Sequence, residues 1–191
     1  NEGIPLKNIS ISCGKKQQKG EAVITRFGLE GNAIYALSPQ IREQLKLHNK
    51  ALICIDFKPT FTLENVYSKI KNSSFKNTTQ ILKKELKLSP SQITLLKTYL
   101  SKDSYLNTEI LSKYIKKFPL EINDLSILDE AISTVGGIDI NAVDTNFQLH
   151  EIPNQFCLGE MINWDAPTGG YLLQACASNG VFLAKYFNEI D

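Results

Sequence analysis

Two short groups of residues near the end of the chain have the types and spacing that ligand chemistry needs. Gly159-Glu160 closes the run Gln155-Phe156-Cys157-Leu158, and Gly169-Gly170-Tyr171 opens a largely apolar stretch that continues to Phe187. The first reads as a buried strand ending in a carboxylate, the place where ligands commonly bind in α/β sheets. A glutamate there can accept hydrogen bonds from sugar-type hydroxyls. Gly169 and Gly170 carry no Cβ, so their backbone can approach a ligand closely. The helix after them would aim free N–H groups, and about half a positive charge, beyond the turn. That suits a phosphate or an electron-rich pyrimidine edge. A surface glutamate beside a Gly-Gly helix start also occurs in many folds without a ligand, and spacing alone favours that plainer reading.

The elements that would position these groups follow from the pattern upstream. Lys7–Ser12 alternates polar and apolar as a half-buried strand does, with Gly14 and the polar run 15–19 as the turn after it. Ala22–Thr25 resumes the extended pattern, and Gly28 and Gly31 punctuate the next turn. Asn32–Leu47 has helical spacing through Ile34, Leu37, Ile41 and Leu45, and Ala51–Phe57 is a continuous apolar strand closed by Pro59. Between residues 61 and 118 the period changes. Thr62, Asn77, Ser89 and Asn107 stand where helix N-caps belong, and Gln80 and Gln92 fall three residues after two of them, as capping boxes require. The apolar positions that follow have helical spacing, and helices this short must pack on one another or on a neighbour. From 119 strands and turns return: Leu120–Ile122 as a strand, Ser126–Ser133 as a short helix, then the final loop and helix. A helical unit inserted into a β-rich domain is the expected order.

Composition narrows the function classes. With 42% hydrophobic and 21% charged residues among 191, the chain is an ordinary globular sequence. No apolar run reaches the roughly 20 residues that a membrane-spanning helix needs. The N-terminal residues show no secretory signal pattern. Cys13, Cys54, Cys157 and Cys176 are widely spaced, with no C-x-x-C, so they read as buried thiols in a reducing, cytoplasmic setting rather than as metal ligands. His48 and His150 are far apart and lack a carboxylate or cysteine cluster, so no metal centre or hydrolase triad is expected.

The net charge of +1 hides an asymmetry. Residues 1–64 carry nine Lys/Arg against six acids, residues 65–118 eleven against three, and residues 119–191 one against eleven. The basic middle has lysines distributed around its helices and no arginine, unlike a dedicated nucleic-acid reading surface. It reads as a solvated face. A second use would be steering an anionic substrate.

Three ordered stretches carry a family resemblance. Gly159-Glu160-Met161-Ile162-Asn163-Trp164-Asp165-Ala166-Pro167-Thr168-Gly169-Gly170-Tyr171-Leu172-Leu173-Gln174-Ala175 resembles the C-terminal signature of a bacterial family of NAD(P)/FAD-dependent oxidoreductases, with aminoacetone oxidase-like and bile-acid-pathway reductase-like members. Gly20–Ser38 resembles that family's motif on entering an inserted domain, and Ala131–Ile138 its motif on returning to the FAD domain. The resemblance implies an α+β fold: a β-barrel-like domain (1–60 plus 119–150), an inserted helical bundle (61–118), and a C-terminal strand–loop–helix of the FAD domain (151–191). It implies that Gly159, Glu160, Thr168, Gly169, Gly170, Tyr171 and Leu172 contact FAD, Glu160 at the ribityl or pyrophosphate region and the helix-start amides at the flavin. The Arg26–Gly31 loop would face the substrate. Trp164 would either cap the flavin edge or anchor its own loop.

The same resemblance implies a small-molecule substrate and NAD(P)H as partners and singles out no catalytic acid or base, while the hydropathy argues against a membrane and the spread of the lysines against nucleic acid. The family opens with a strand, G-x-G-x-x-G and helix that hold the ADP part of FAD, and the eleven glycines here include no such pattern. The sequence is therefore expected to be a C-terminal fragment that by itself neither holds FAD tightly nor turns over substrate. The competing reading is a non-catalytic interaction module using the basic helical face.

Overall fold

A computed structural model describes residues 3–167 and 169–190. The chain forms two compact units, residues 1–125 and 126–191. The first contains a five-stranded antiparallel sheet in the order β3-β2-β1-β4-β5, curled into a half-barrel, with seven helices. Its strands are β1 (Pro5–Cys13), β2 (Lys16–Ile24), β3 (Leu29–Glu30), β4 (Ala51–Asp56) and β5 (Phe118–Ile122).

β1 lies at the centre and shows how the sequence sets its own register. Its core-facing residues are Leu6, Ile9, Ile11 and Cys13, so the alternation slips by one between Leu6 and Ile9. A bulge at that point absorbs the extra residue, with Asn8 at φ 55. Asparagine tolerates the left-handed conformation better than most residues, and the bulge returns both flanking side chains to one face. The polar run at 15–19 is mostly strand rather than turn. β2 starts at Lys16, because only Gly14 and Lys15 are needed to reverse the chain, and Cys13 pairs directly with Lys16.

The helical stretch from Asn32 is two elements, α1 (Asn32–Tyr35) and α2 (Ser38–His48). Pro39 explains the break. It has no N–H to continue an upstream helix, and it suits the first turn of the next one. Ile34, Leu37 and Ile41 are nonetheless all buried in the common core.

α3 (Leu63–Lys71), α4 (Thr78–Lys84), α5 (Pro90–Tyr99), α6 (Lys102–Leu106) and α7 (Thr108–Lys116) make up the helical segment. Thr62, Asn77, Ser89 and Asn107 each cap a helix by accepting from a backbone N–H of its first turn. Ser89 and Gln92 form a full capping box, whereas Asn77 makes only its own half. α6, capped by Ser101, is too short to show a period in the sequence. Apolar residues from these helices and from the sheet form one cluster, with Phe57 and Phe118 in contact at 5.4 Å between ring centroids. An ion pair ties the end of β4 to α7: Lys116 Nζ lies 2.6 Å from Asp56 Oδ2 and donates to Lys58 O at 2.7 Å and to Phe61 O.

The second unit has little regular structure before its long helix α8 (Tyr171–Ile190). The expected helix over 126–133 shrinks to a 3-10 turn at Leu128–Glu130. The expected strand 155–160 is also replaced. Phe156 makes one antiparallel bridge to Gln148, and Gly159–Met161 turns as a 3-10 helix. A strand persists only where a neighbour completes its hydrogen bonds. Among the described residues, that stretch has only isolated bridges.

Candidate functional site

The turn that carries Glu160 is held from two sides within the second unit. On one side, Gly136 and Gly137 adopt φ 111 and 121, values open to glycine and strained for other residues. Ile138 then runs parallel to Ile162: Ile138 N–H donates to Met161 O at 2.9 Å, and Asn163 N–H donates to Ile138 O at 2.8 Å. A Cβ on Gly137 would lie 2.5 Å from Met161 O, so only glycine permits this approach. Thr134 N–H also reaches Glu160 Oε1, at 3.4 Å.

On the other side stands α8. Gly159 has φ 64, and a Cβ there would sit 3.2 Å from Cys176 Sγ. Cys176 is five residues after Tyr171, so the start of α8 lies about 7.5 Å along the helix axis from that contact. α8 is steadied further along by Phe182 against Phe147 (5.9 Å, edge-on) and Phe187 against Phe156 (4.8 Å). Beneath the turn, Val143, Cys157 and Ile162 form a small buried cluster joined by Ile138, Phe147 and Leu149.

Several residues expected at a site are thus brought together. Gly159 and Glu160 share one 3-10 turn, and that turn packs on the helix which Gly169, Gly170, Tyr171 and Leu172 open. Gly169 and Gly170 have φ 98 and 87, and Gln174 N–H donates to Gly170 O at 3.0 Å as the helix begins. Glu160, Gly169, Gly170 and Tyr171 are exposed, and Leu172 is half-buried. Thr168 lies outside the described residues. Trp164 remains 42% exposed. The sequence reading did not anticipate that Gly137 and Cys176 are the residues holding the Glu160 turn. A Gly-Gly pair upstream was the one signal for the first, and a cysteine on an apolar helix gives none for the second.

What this part of the chain offers chemically is a carboxylate acceptor on the turn and, separately, a set of backbone donors at the start of α8. The first N–H groups of a helix lack intrahelical partners and carry the positive end of its dipole. Among the described residues, nothing beyond the adjacent ones lies within 4 Å of where a Cβ would stand on Gly136 or Gly170. Among the described residues, no group of three or more His, Cys, Asp or Glu is placed to hold a metal. All four cysteines are free, with Cys13 and Cys157 buried.

The sheet and helices of the first unit have a counterpart among known families. The model of the HI0933-like protein barrel and H2TH domain matches residues 1–133 of the 191. The chain belongs to the HI0933-like family. This family lies within the FAD-dependent flavoprotein superfamily, so the first unit is a flavoprotein barrel and helical domain. The match covers the half-barrel and the helical segment, and takes in Thr62, Asn77, Ser89 and Asn107 with the helices they cap. It also takes in the Arg26–Gly31 loop, where Phe27 is 80% exposed beneath the Arg26 guanidinium. The Glu160 turn and the start of α8 lie beyond the matched residues. No helix among the described residues is long and apolar enough to cross a membrane.

Proposed function

We propose that this chain is part of an FAD-dependent oxidoreductase, with residues 1–125 on the substrate side and the Glu160 turn and α8 contacting the cofactor. The observation that carries the reading is the packing of the Gly159–Met161 turn on α8, in a chain whose first 133 residues match a flavoprotein domain. FAD supplies hydride transfer when bound. The residues that would hold it are Gly159, Glu160, Thr168, Gly169, Gly170, Tyr171 and Leu172. Glu160 would accept hydrogen bonds from ribityl or ribose hydroxyls. The backbone N–H groups after Gly170 would donate to the acceptor edge of the ring or to a phosphate oxygen, and the helix dipole would favour negative charge there. A small-molecule substrate and NAD(P)H would be the partners, and the Arg26–Gly31 loop of the first unit would face the substrate. A cytoplasmic location fits this reading.

The sequence has no G-x-G-x-x-G, so the chain alone is expected to bind FAD weakly. The test is an amide NMR titration with FAD. Shift changes should cluster at Gly159–Met161 and at Gly169–Leu172, and Glu160→Gln should diminish them. Changes spread evenly over the surface, or confined to α3–α7, would overturn the assignment.

A further inference from the structure

The β1–β2 turn and α2 border a pocket of about 390 Å³. Cys13, Gly14, Lys15 and Lys16 line it from the turn, and Gln40, Glu43 and Gln44 line it from α2. The last three are spaced i, i+3 and i+4, so they share one face of that helix. The volume falls within the range of roughly 300–1,000 Å³ usual for small-ligand sites. Its lining combines both signs of charge with two amides, and none of these residues belongs to the Glu160 turn or to α8.

Gln40 Oε1 is buried and has no hydrogen-bond partner among the described residues. A buried acceptor without a donor is costly, and most such atoms in folded proteins are paired. Nothing holds that oxygen, so the amide can turn toward a donor without giving up a bond there. Gln44 is fixed instead. Its Oε1 accepts from Leu52 N–H at 2.9 Å, which leaves Nε2 as a donor, and Nε2 stands 3.7 Å from where a Cβ on Gly14 would lie. Glu43, Lys15 and Lys16 are exposed and make no ion pair among the described residues. Burial, then Cys54 and Glu43, raise the pKa of the Cys13 thiol, so this wall stays neutral.

We propose that this pocket binds a small zwitterion of the amino-acid type, carrying one ammonium and one carboxylate. An ammonium donates and cannot accept, which matches Gln40 Oε1 and the Glu43 carboxylate. A carboxylate accepts and cannot donate, which matches Gln44 Nε2, and the two lysines of the lining favour negative charge nearby. A ligand with either charge alone leaves one of these groups without a counterpart. Gln40 is then a residue whose partner arrives with the ligand, and its unpaired oxygen is the stability given up for binding. The site belongs wholly to the first unit and does not depend on the flavin reading.

The test is a titration of the full chain with L-alanine, L-leucine and L-glutamine, each alone at neutral pH and constant ionic strength, followed by the amide shifts of residues 13–16 and 40–44. At least one should give saturable changes centred on those residues. Acetate and methylammonium, each carrying one of the two charges, should bind about tenfold more weakly or worse. Gln40→Leu and Glu43→Gln should each weaken amino-acid binding about tenfold or more, as loss of a charge-assisted hydrogen bond does. Gln40→Leu also removes a buried oxygen that has no partner, so the thermal midpoint of the ligand-free protein should not fall. Glu43→Gln alters only an exposed side chain, so it keeps the test decisive even if Gln40→Leu unfolds. Lys113→Gln should leave binding unchanged, because Lys113 is already paired with Glu109. Acetate binding as tightly as the amino acids would reduce the site to its lysines and overturn the proposal. So would the lack of a saturable change with all of the amino acids, or indifference to both Gln40→Leu and Glu43→Gln.

Discussion

Gly137 and Met161 meet backbone to backbone: the carbonyl of Met161 accepts from Ile138 N–H at 2.9 Å and occupies space where a Cβ on Gly137 would come within 2.5 Å. Through this contact the segment before Ile138 fixes the turn that carries Glu160. Gly137→Ala must therefore push the two segments apart as well as strain φ 121. The expected local cost is roughly 1–3 kcal/mol, read as faster amide exchange at Ile138 and Asn163. Gly136→Ala meets nothing within 4 Å and should cost less. Equal effects of the two substitutions would remove Gly137 from this role.

The Lys116–Asp56 pair should be the most sensitive polar contact in the first unit. Its side chains are only 17% and 16% exposed, and Lys116 also satisfies the carbonyls of Lys58 and Phe61. Lys116→Met leaves a carboxylate and two carbonyls short of a donor, and about 3 kcal/mol of stability should be lost. Adding Asp56→Asn to that variant should recover part of the loss, because the stranded charge is gone. Urea unfolding of the single and double variants decides it, and a double variant no better than Lys116→Met alone would contradict the account.

At the start of α5, Ser89 Oγ accepts from Gln92 N–H at 3.3 Å while Gln92 Oε1 accepts from Ser89 N–H at 2.9 Å. Ser89→Ala should cost about 1 kcal/mol, as loss of a cap does. Gln92→Ala should cost at least as much. Gln92 is buried, and its removal leaves the Ser89 N–H without its acceptor. Thermal unfolding should rank the pair, and a neutral Gln92→Ala would show that the N–H finds water instead.

Cys13 predicts an alkaline loss of stability. Burial, with smaller contributions from Cys54 and Glu43, raises its thiol pKa. Above about pH 8.5 an unfolded cysteine ionises while the folded one keeps its proton. The native state then binds more protons, so stability falls as pH rises through that point and levels off above the folded pKa. The slope should shrink in Cys13→Ala, and comparison with the wild type isolates this group from Lys58, whose lowered pKa acts in the opposite sense. Parallel pH profiles for the two proteins would rule the mechanism out.

Much of the first unit was legible because its signals are local. The caps at Thr62, Asn77, Ser89 and Asn107 each depend on a side chain reaching a backbone N–H two or three residues away. Ala51–Asp56 is apolar at the positions that its neighbours on both sides require. The break at Pro39 and the bulge at Asn8 also have local causes, yet the helical period through Ile41 obscured the first. The slip from Leu6 to Ile9 becomes a bulge only once β2 is beside it.

In the second unit the sequence by itself supplied the candidate residues: a glutamate after a glycine, a Gly-Gly pair and an apolar helix. It also determined the family to which residues 1–133 belong. Only the tertiary structure decided that Gly159-Glu160 turns as a 3-10 helix instead of ending a strand, that Gly137 and Cys176 hold that turn, and that Lys58 lies against Lys87 O. The reason is separation along the chain. Met161 lies 24 residues from Gly137, and Lys87 lies 29 from Lys58. No local periodicity encodes a contact at such distance. It appears when a missing Cβ or a spare carbonyl makes that approach the one with a satisfied hydrogen bond.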